Sequence, residues 1–464
     1  MPLPRFLPVA LATGLFAGCT TYQPKDINPA TSQAQLESRT LSDSGLARFL
    51  TAHGSPATAV NVEWDLNRLT LAAFYFSPEL DVARAQLAEA EAHARSAGTL
   101  PNPSLNFTPG YNKDATGGVT PWILGYALDV PLDLYGERTY RTAEARAQAE
   151  AARLNLASAA WTTRTAVRRA LTDLHAAEGA AVVWRNQQPL LAQAAQIVDA
   201  QVKAGEVSPL EAAQARIALN RAALAAREAD RSVALARSRL AEAVGVPLSA
   251  LATVSVSFAG LSEPTAPLAP AEARRLAAQN RADLLAALAD YAASQSALQS
   301  EIARQYPKLS FGPGYQLDQG EGKWSLSLGV TLPIFHQNQG PIAAAQARRE
   351  SAAAKFLALQ HRLLADVDRA SAAYASAVGD LETINAMKTS LAQQAKTVRA
   401  QQSAGETSRL ELTRAQLELA DNSRAELDAR ARAQQALTDL EAALQRPLAW
   451  PETAWRTTAR TTSP

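Results

Sequence analysis

Few residues in this chain could carry covalent or metal chemistry. Its 464 residues include one cysteine, Cys19, so no cluster of thiolates can hold a metal. The five histidines, His53, His93, His175, His336 and His361, include no pair at the spacing of helical metal ligands. No glycine-rich phosphate loop of the nucleotide- or dinucleotide-binding type is present, and no Gly-x-Ser-x-Gly elbow. Carboxylates are plentiful, but an unpaired glutamate on a polar helical face is ordinarily solvated surface. The expectation is a protein that is not an enzyme, with no catalytic residue, no metal site and no cofactor.

An excess of one charge is also missing. The 45 basic and 44 acidic residues nearly cancel and are interspersed, which gives no surface for nucleic acid and no acidic tail. Aromatic residues make up only 6%, while Ala, Arg, Gln and Glu fill long stretches without Gly or Pro, the profile of long packed helices. The one notable apolar run, Phe6 to Ala17, is well short of the roughly 20 residues that a membrane-spanning helix needs. A membrane role for the mature chain would therefore have to rest on strands.

What is present is a duplication. "KAGEVSPLEAAQARIAL" from Lys203 returns as "SAGETSRLELTRAQLEL" from Ser403, with Gly205 and Gly405, Glu206 and Glu406, Ser208 and Ser408, and Glu211 and Glu411 each 200 positions apart. "PSLNFTPGY" from Pro103 returns as "PKLSFGPGY" from Pro307. Each copy runs through strand-like segments, a long Ala/Arg/Gln helix, the Ala-Gly-Glu break, a second long helix and a stop at Pro247 or Pro447. Similarity on this scale points to tandem duplication of a structural half, not to a short-period solenoid.

The chain begins "MPLPRFLPVALATGLFAGCTTYQ", with Arg5, the apolar run, and Ala17 and Gly18 before Cys19. This resembles a bacterial lipoprotein signal with Cys19 as the lipidated residue, although Phe16 stands where Leu is commoner. Thr20 is not the Asp that resembles an inner-membrane retention signal, so delivery to the outer membrane is expected.

Four strand-like segments come in two pairs, Ser104 to Tyr111 with Trp122 to Leu132, and Leu309 to Gln316 with Trp324 to Leu332. "WSLSLGVTL" alternates Trp324, Leu326, Leu328, Val330 and Leu332 with Ser325, Ser327, Gly329 and Thr331, as a strand between lipid and a polar lumen would. Soluble hairpins packed on helices are the plainer alternative. An open sheet edge cannot sit in lipid with its backbone groups unpaired, and membrane barrels have at least about eight strands. Strands must then be pooled between copies. Two copies would make an eight-stranded barrel whose lumen side chains fill, whereas three would make one of twelve.

Between Thr139 and Lys203 lie about 65 helical residues, a reach on the order of 100 Å, with a kink expected at Pro189. After the first break Leu210, Ile217 and Leu224 form one seven-residue series, and Ala212, Leu219, Ala226, Val233 and Leu240 form another. The series lie on nearly opposite sides of the helix, so each helix has two neighbours. That suits the wall of a hollow cylinder better than a solid bundle. An ordinary antiparallel bundle with broad apolar faces is the competing reading.

These residues resemble the outer-membrane efflux proteins of the TolC type, and the resemblance covers nearly the whole mature chain, from "SPELDVARAQLAEAEAHARSAGTLPNPSL" through both hairpins to "EAVGVP" and "EAALQRP". It implies an α+β membrane protein in which a homotrimer forms a twelve-stranded transmembrane β-barrel continuous with a long α-helical periplasmic barrel, built from two internal repeats. The implied order is a signal peptide (1–18), an N-terminal periplasmic segment (19–62), a first repeat (63–247), a linker (248–268), a second repeat (269–447) and a tail (448–464). The implied function is a passive outer-membrane channel of a tripartite efflux system, embedded in outer-membrane lipid, with a periplasmic adaptor (membrane fusion protein) and an inner-membrane pump of the RND type as partners. By the same resemblance Gly205, Glu206, Gly405 and Glu406 are adaptor-contact hairpin tips, and Glu411, with its repeat counterpart Glu211, lines the periplasmic aperture. Arg414 stands where a second acid is often found. "LPIFHQNQG" from Leu332 is similar to the "LPLFDRNQG" pattern of cobalt-zinc-cadmium-type channels, but His336 and Gln337 replace Asp and Arg, which leaves the cargo open between metal ions and organic compounds. The alternative is a periplasmic adaptor or scaffold lipoprotein without a channel.

Substituting Cys19 by Ser is expected to abolish acyl labelling and alter precursor processing while the protein still inserts, because one lipid anchor is weak beside a spanning barrel. Mass spectrometry of the mature N-terminus checks this, and an unmodified Cys19 in the wild type would overturn it.

Overall fold

The computed structural model describes residues 20–55, 63–259, 261 and 266–448, so Cys19 and the signal segment lie outside the described residues. Among the described residues four helices come first: α1 (Pro29–Glu37), α2 (Ser44–Ala52), α3 (Leu66–Phe76) and α4 (Pro78–Ala97). Strands β1 (Ser104–Tyr111) and β2 (Trp122–Leu132) lead into a long hairpin of α5 (Glu137–Lys203) and α6 (Pro209–Val244). After the short α7 (Leu248–Ala252), the order of helices, strand pair and long hairpin recurs. Its members are α8 (Pro270–Asn280), α9 (Ala282–Ala303), β3 (Lys308–Asp318), β4 (Glu321–Thr331), α10 (Gln339–Ser403) and α11 (Arg409–Leu444).

The 67 residues of α5 and 65 of α10 each reach on the order of 100 Å. Ala, Gln, Arg and Glu supply helix propensity over that length with little side-chain entropy lost. α5 stays helical through Pro189. Two residues before it, buried Gln187 donates from Nε2 to Asp421 at 2.8 Å, which ties this turn to α11 where the ladder lacks one N–H.

Both long hairpins reverse by the same device. Gly205 (φ 77°) and Gly405 (φ 79°) take the left-handed conformation. The N–H of Gly205 donates to Val202 O and that of Glu206 to Gln201 O, and Gly405 and Glu406 do the same to Gln402 O and Gln401 O. This Schellman pattern satisfies the last carbonyls of each helix and needs a residue without Cβ strain at its left-handed position.

The four strands form one antiparallel sheet in the order β1-β2-β3-β4. The two strand pairs are thus joined, Tyr126 opposite Tyr315 and Leu132 opposite Leu309. Pairing skips Leu128 and Asp129 on β2, opposite the stretch of β3 where Pro313 has no N–H to give.

Buried side chains collect at the hairpin bases. One core joins Leu46 and Leu50 of α2, Leu69 and Phe76 of α3, Val167 and Leu174 of α5, and Leu240 and Val244 of α6. Its counterpart joins Leu276 of α8, Val367 and Tyr374 of α10, and Leu437 and Leu444 of α11.

The two halves are bound together by α5 packed antiparallel on α11. At the base, Arg168 (2% exposed) and Glu441 (1% exposed) are bridged at 2.6 Å, with Arg164 on the same carboxylate oxygen at 3.0 Å. The second oxygen of Glu441 accepts the N–H of Leu448 at 2.8 Å. Further along, Arg169 pairs with Asp439, Gln435 donates to Asp173 at 2.9 Å, and the Arg424 guanidinium lies 5.1 Å from the Trp184 ring centroid. Between these, Gly179 lets the helices approach, since a Cβ there would lie 2.7 Å from Leu427 Cδ1.

Glu441→Ala would leave Arg168 buried without its counter-ion and is expected to destabilise the fold by about 3–5 kcal/mol. Pairing it with Arg168→Met should recover most of that loss, because two apolar groups replace the ion pair. Denaturant unfolding followed by circular dichroism, wild type against the single and double variants, checks both.

Candidate functional site

The register across the sheet sorts its residues into two unlike faces. On one, Leu105, Phe107, Pro109 and Tyr111 of β1 stand opposite Leu128, Tyr126, Leu124 and Trp122 of β2. The same rows continue through Leu309, Phe311, Pro313 and Tyr315 of β3 to Val330, Leu328, Leu326 and Trp324 of β4. Trp324 is 83% exposed, and Leu105, Leu326 and Leu328 are nearly as open. The opposite face carries Asn106 and Thr108, Gly125, Ser310, Gly312 and Gly314, and Ser325, Ser327 and Gly329. Ser327 Oγ donates to Gly312 O at 2.9 Å, and a Cβ at Gly312 would lie 2.9 Å from Leu128 O.

Aromatic residues bracket the apolar face. Toward the strand turns, Tyr111 meets Trp122 with ring centroids 5.1 Å apart and Tyr315 meets Trp324 at 4.9 Å, while Phe107 meets Tyr126 at 5.0 Å midway along the strands. At the helix end, Tyr135 and Tyr306 stack at 4.8 Å, and Phe335 is fully exposed in the β4–α10 connection. An apolar band between two aromatic belts is the pattern of a strand that crosses a bilayer. No helix among the described residues is long and apolar enough to do so.

At the other end of the molecule the hairpin tips expose Gly205, Glu206, Gly405 and Glu406. Gly405, Glu406 and Glu411 come together on one tip, Gly205, Glu206 and Glu211 on the other. Glu411 has a local role that the sequence reading missed. Its N–H donates to the Ser408 hydroxyl at 3.1 Å, and its carboxylate accepts the Thr407 hydroxyl. Ser408 to Glu411 follows the Ser-x-x-Glu spacing of a helix-capping box, a signal legible in the sequence. Ser208, the counterpart, makes no such side-chain bond. His336 lies between β4 and α10, where Nδ1 accepts the N–H of Asn338 at 3.2 Å. Among the described residues no group of His, Cys, Asp and Glu could hold a metal ion.

The sequence pattern of the family described as "Outer membrane efflux protein" matches residues 74–246 and 273–445. The chain belongs to the outer membrane efflux protein family. It is the outer-membrane channel component of an efflux system. One relative is the cobalt-zinc-cadmium resistance protein CzcC of Cupriavidus metallidurans, 26% identical over 304 residues, 64% of this chain and 71% of that one. The outer membrane protein VceC of Vibrio cholerae shares the fold with a TM-score of 0.66 at 20% identity, over 82% of this chain and 95% of that one. The open-state outer membrane channel MtrE of Neisseria gonorrhoeae shares it with a TM-score of 0.64 at 19% identity, over 82% and 89%.

A charge on the apolar face of this efflux channel should cost far more than one on the Ser/Gly face. Leu326→Lys is expected to lose about 2–4 kcal/mol and most outer-membrane assembly, with Ser325→Lys tolerated. Heat-modifiable mobility of outer-membrane fractions reads the difference.

Proposed function

We propose that three copies of this chain close a twelve-stranded transmembrane barrel continuous with a helical periplasmic tunnel, and that cargo passes through it passively. The observation that carries this reading is the apolar sheet face combined with two open edges, β1 and β4. In lipid those edges must pair, and joining β4 of one copy to β1 of the next does so without new secondary structure. The Ser/Gly face then lines the lumen.

The helices support the same closure. α5 packs on α11 within the chain, whereas their repeat counterparts, α10 and α6, make no extensive contact with each other. The seam Leu210, Ile217 and Leu224 on α6 stays exposed, as do Leu357, Leu364 and Met387 on α10. A neighbouring copy that brings α10 against α6 repeats the α5–α11 contact and covers both stripes.

In this assembly Cys19 is lipidated in the outer membrane. The tips bearing Gly205, Glu206, Gly405 and Glu406 meet a periplasmic adaptor, and an inner-membrane pump of the RND type loads the tunnel. Glu411, with Glu211 beside it in sequence role, lines the periplasmic aperture. A ring of three Glu411 carboxylates focuses negative potential in a narrow opening and favours cations. The relative named for cobalt, zinc and cadmium resistance makes divalent metal ions the first cargo to test.

Detergent-extracted protein should run as a trimer and conduct in planar bilayers. Glu411→Ala should lower cation selectivity and relieve block by divalent ions, more than Glu211→Ala does. A soluble monomer without conductance would overturn the channel assembly, and unchanged selectivity in conducting Glu411→Ala trimers would confine Glu411 to its capping role.

A further inference from the structure

The two repeats differ in how their short helices are covered. α9 lies between α10 of its own repeat and α5 of the other, and the row Ala286, Ala293 and Ser300 is buried. Its counterpart α4 packs extensively on α5 alone among the described elements, and of its residues only Leu80 is buried. Matching Leu80 to Leu284 and Pro103 to Pro307 makes Val82, Glu89 and Ser96 the counterparts of the buried row, and all three are exposed. α10 is open in the same way. Matching buried Val167 and Ala170 of α5 to Val367 and Ala370 makes Ala344, Ser351 and Ala358 the counterparts of Glu144, Ala151 and Ser158. The α5 row is buried or half-buried, the α10 row exposed.

The α5–α9 contact shows how such faces meet. At one end Arg304 pairs with Glu137 at 2.8 Å and Tyr306 stacks on Tyr135. At the other, Gln445 accepts the N–H of Ala282 at 2.7 Å and donates to the Ser158 hydroxyl at 3.3 Å. Carried over to the counterparts, this antiparallel level sets Leu100 beside Gln337 and Pro78 beside Ala358. Glu89 then comes level with Arg348, since each lies eleven positions inside Leu100 and Gln337.

The charges of the two faces are opposite. Arg348, Lys355 and Arg362 form an exposed seven-residue row on α10 where α5 has the neutral Gln148, Asn155 and Thr162. Exposed Glu89 and Glu91 stand on α4 where α9 has Ala293 and Gln295. α4 as a whole carries four acids against two arginines, and α10 from Gln339 to Ala365 carries four basic residues against Glu350. Within the chain Glu89 has His93 at 3.8 Å, Arg348 acts on Glu144 together with Arg304, and Lys355 acts on Asp290.

We propose that α4 of one copy docks antiparallel on α10 of the next, with Glu89 paired to Arg348 and Val82 received by the small residues Ser351 and Ala358. The inference rests on the channel assembly proposed above and names the surface by which its copies recognise each other. The contact is head-to-tail, second repeat to first, and continues the α6–α10 seam toward the membrane. A charge pair at such a rim adds little affinity but fixes register and rejects wrong partners. An α9 in the place of α4 would set Ala293 against Arg348, so the pair also tells one repeat from the other.

Two differently tagged full-length forms expressed together test this, one with Glu89→Cys and the other with Arg348→Cys. Oxidation of the detergent-extracted protein should give a mixed-tag dimer. Glu89→Cys with Glu350→Cys should not, because Glu350 lies about 200° round the helix from Arg348. Without cysteines, Glu89→Arg or Arg348→Glu should each lower the trimer fraction at low salt by up to about five-fold, the range of an exposed ion pair, and the two together should restore it. Conducting trimers with no mixed-tag dimer, or a charge swap that recovers nothing, would overturn this seam and leave the channel standing. Protein that neither forms trimers nor conducts would overturn the assembly beneath it. Adducts of Glu89→Cys with another periplasmic protein, in place of the mixed-tag dimer, would overturn the second copy as the occupant of α4.

Discussion

Backbone hydrogen bonding at the two outer strands is the constraint from which the rest follows. β1 and β4 each carry a row of N–H and C=O groups with no strand beside them among the described residues. Water could satisfy such edges, but the faces next to them are apolar and aromatic, which suits lipid instead. The closure proposed above, with further copies of the chain, would pair them. The helices below share that character, since α6 and α10 present apolar stripes that no described element of the same chain covers.

Within one chain α5 carries the organisation. It packs against α4, α6, α9 and α11, so it links both strand pairs' helices and both hairpins. Its contact with α11 is unusually polar, from the buried Arg168–Glu441 bridge at the base to Gln187–Asp421 toward the tip. Ion pairs and amides specify register more than they add stability, because desolvation offsets much of their attraction. Ion pairs also cross within each hairpin, Arg237 with Glu178 in the first and Lys388 with Glu426 in the second. The tips themselves are set by local chemistry, Gly205 and Gly405 in the left-handed conformation and Ser408 with Glu411 at the start of α11.

Much of this was legible before any coordinates. The strands Ser104–Tyr111 and Trp122–Leu132 and the hairpin breaks follow from period-two alternation and from glycine after a long helix, both local signals. The Ser-x-x-Glu spacing at Ser408 is an equally local signal, whereas the aperture role of Glu411 follows only from the family resemblance. The two seams on α6 were visible as seven-residue series, but periodicity does not say which is covered. Of the second series Ala212 and Leu240 are buried but Leu219, Ala226 and Val233 only half-buried, and the buried row of α6 is instead Ala222, Ala229 and Ala236, while Leu210, Ile217 and Leu224 are exposed.

The sequence alone therefore determined the recurring motifs, the lengths of the helices and the alternation of the strands, because each depends on neighbours within a few residues or on comparing one stretch of the chain with another. Tertiary structure decided what depends on pairs far apart in the chain. It joined β2 to β3 into one sheet and brought Arg168 to Glu441 across 273 positions. No local pattern encodes such partners. They are chosen by which apolar surfaces can be covered and which buried charges can be matched once the long helices lie side by side.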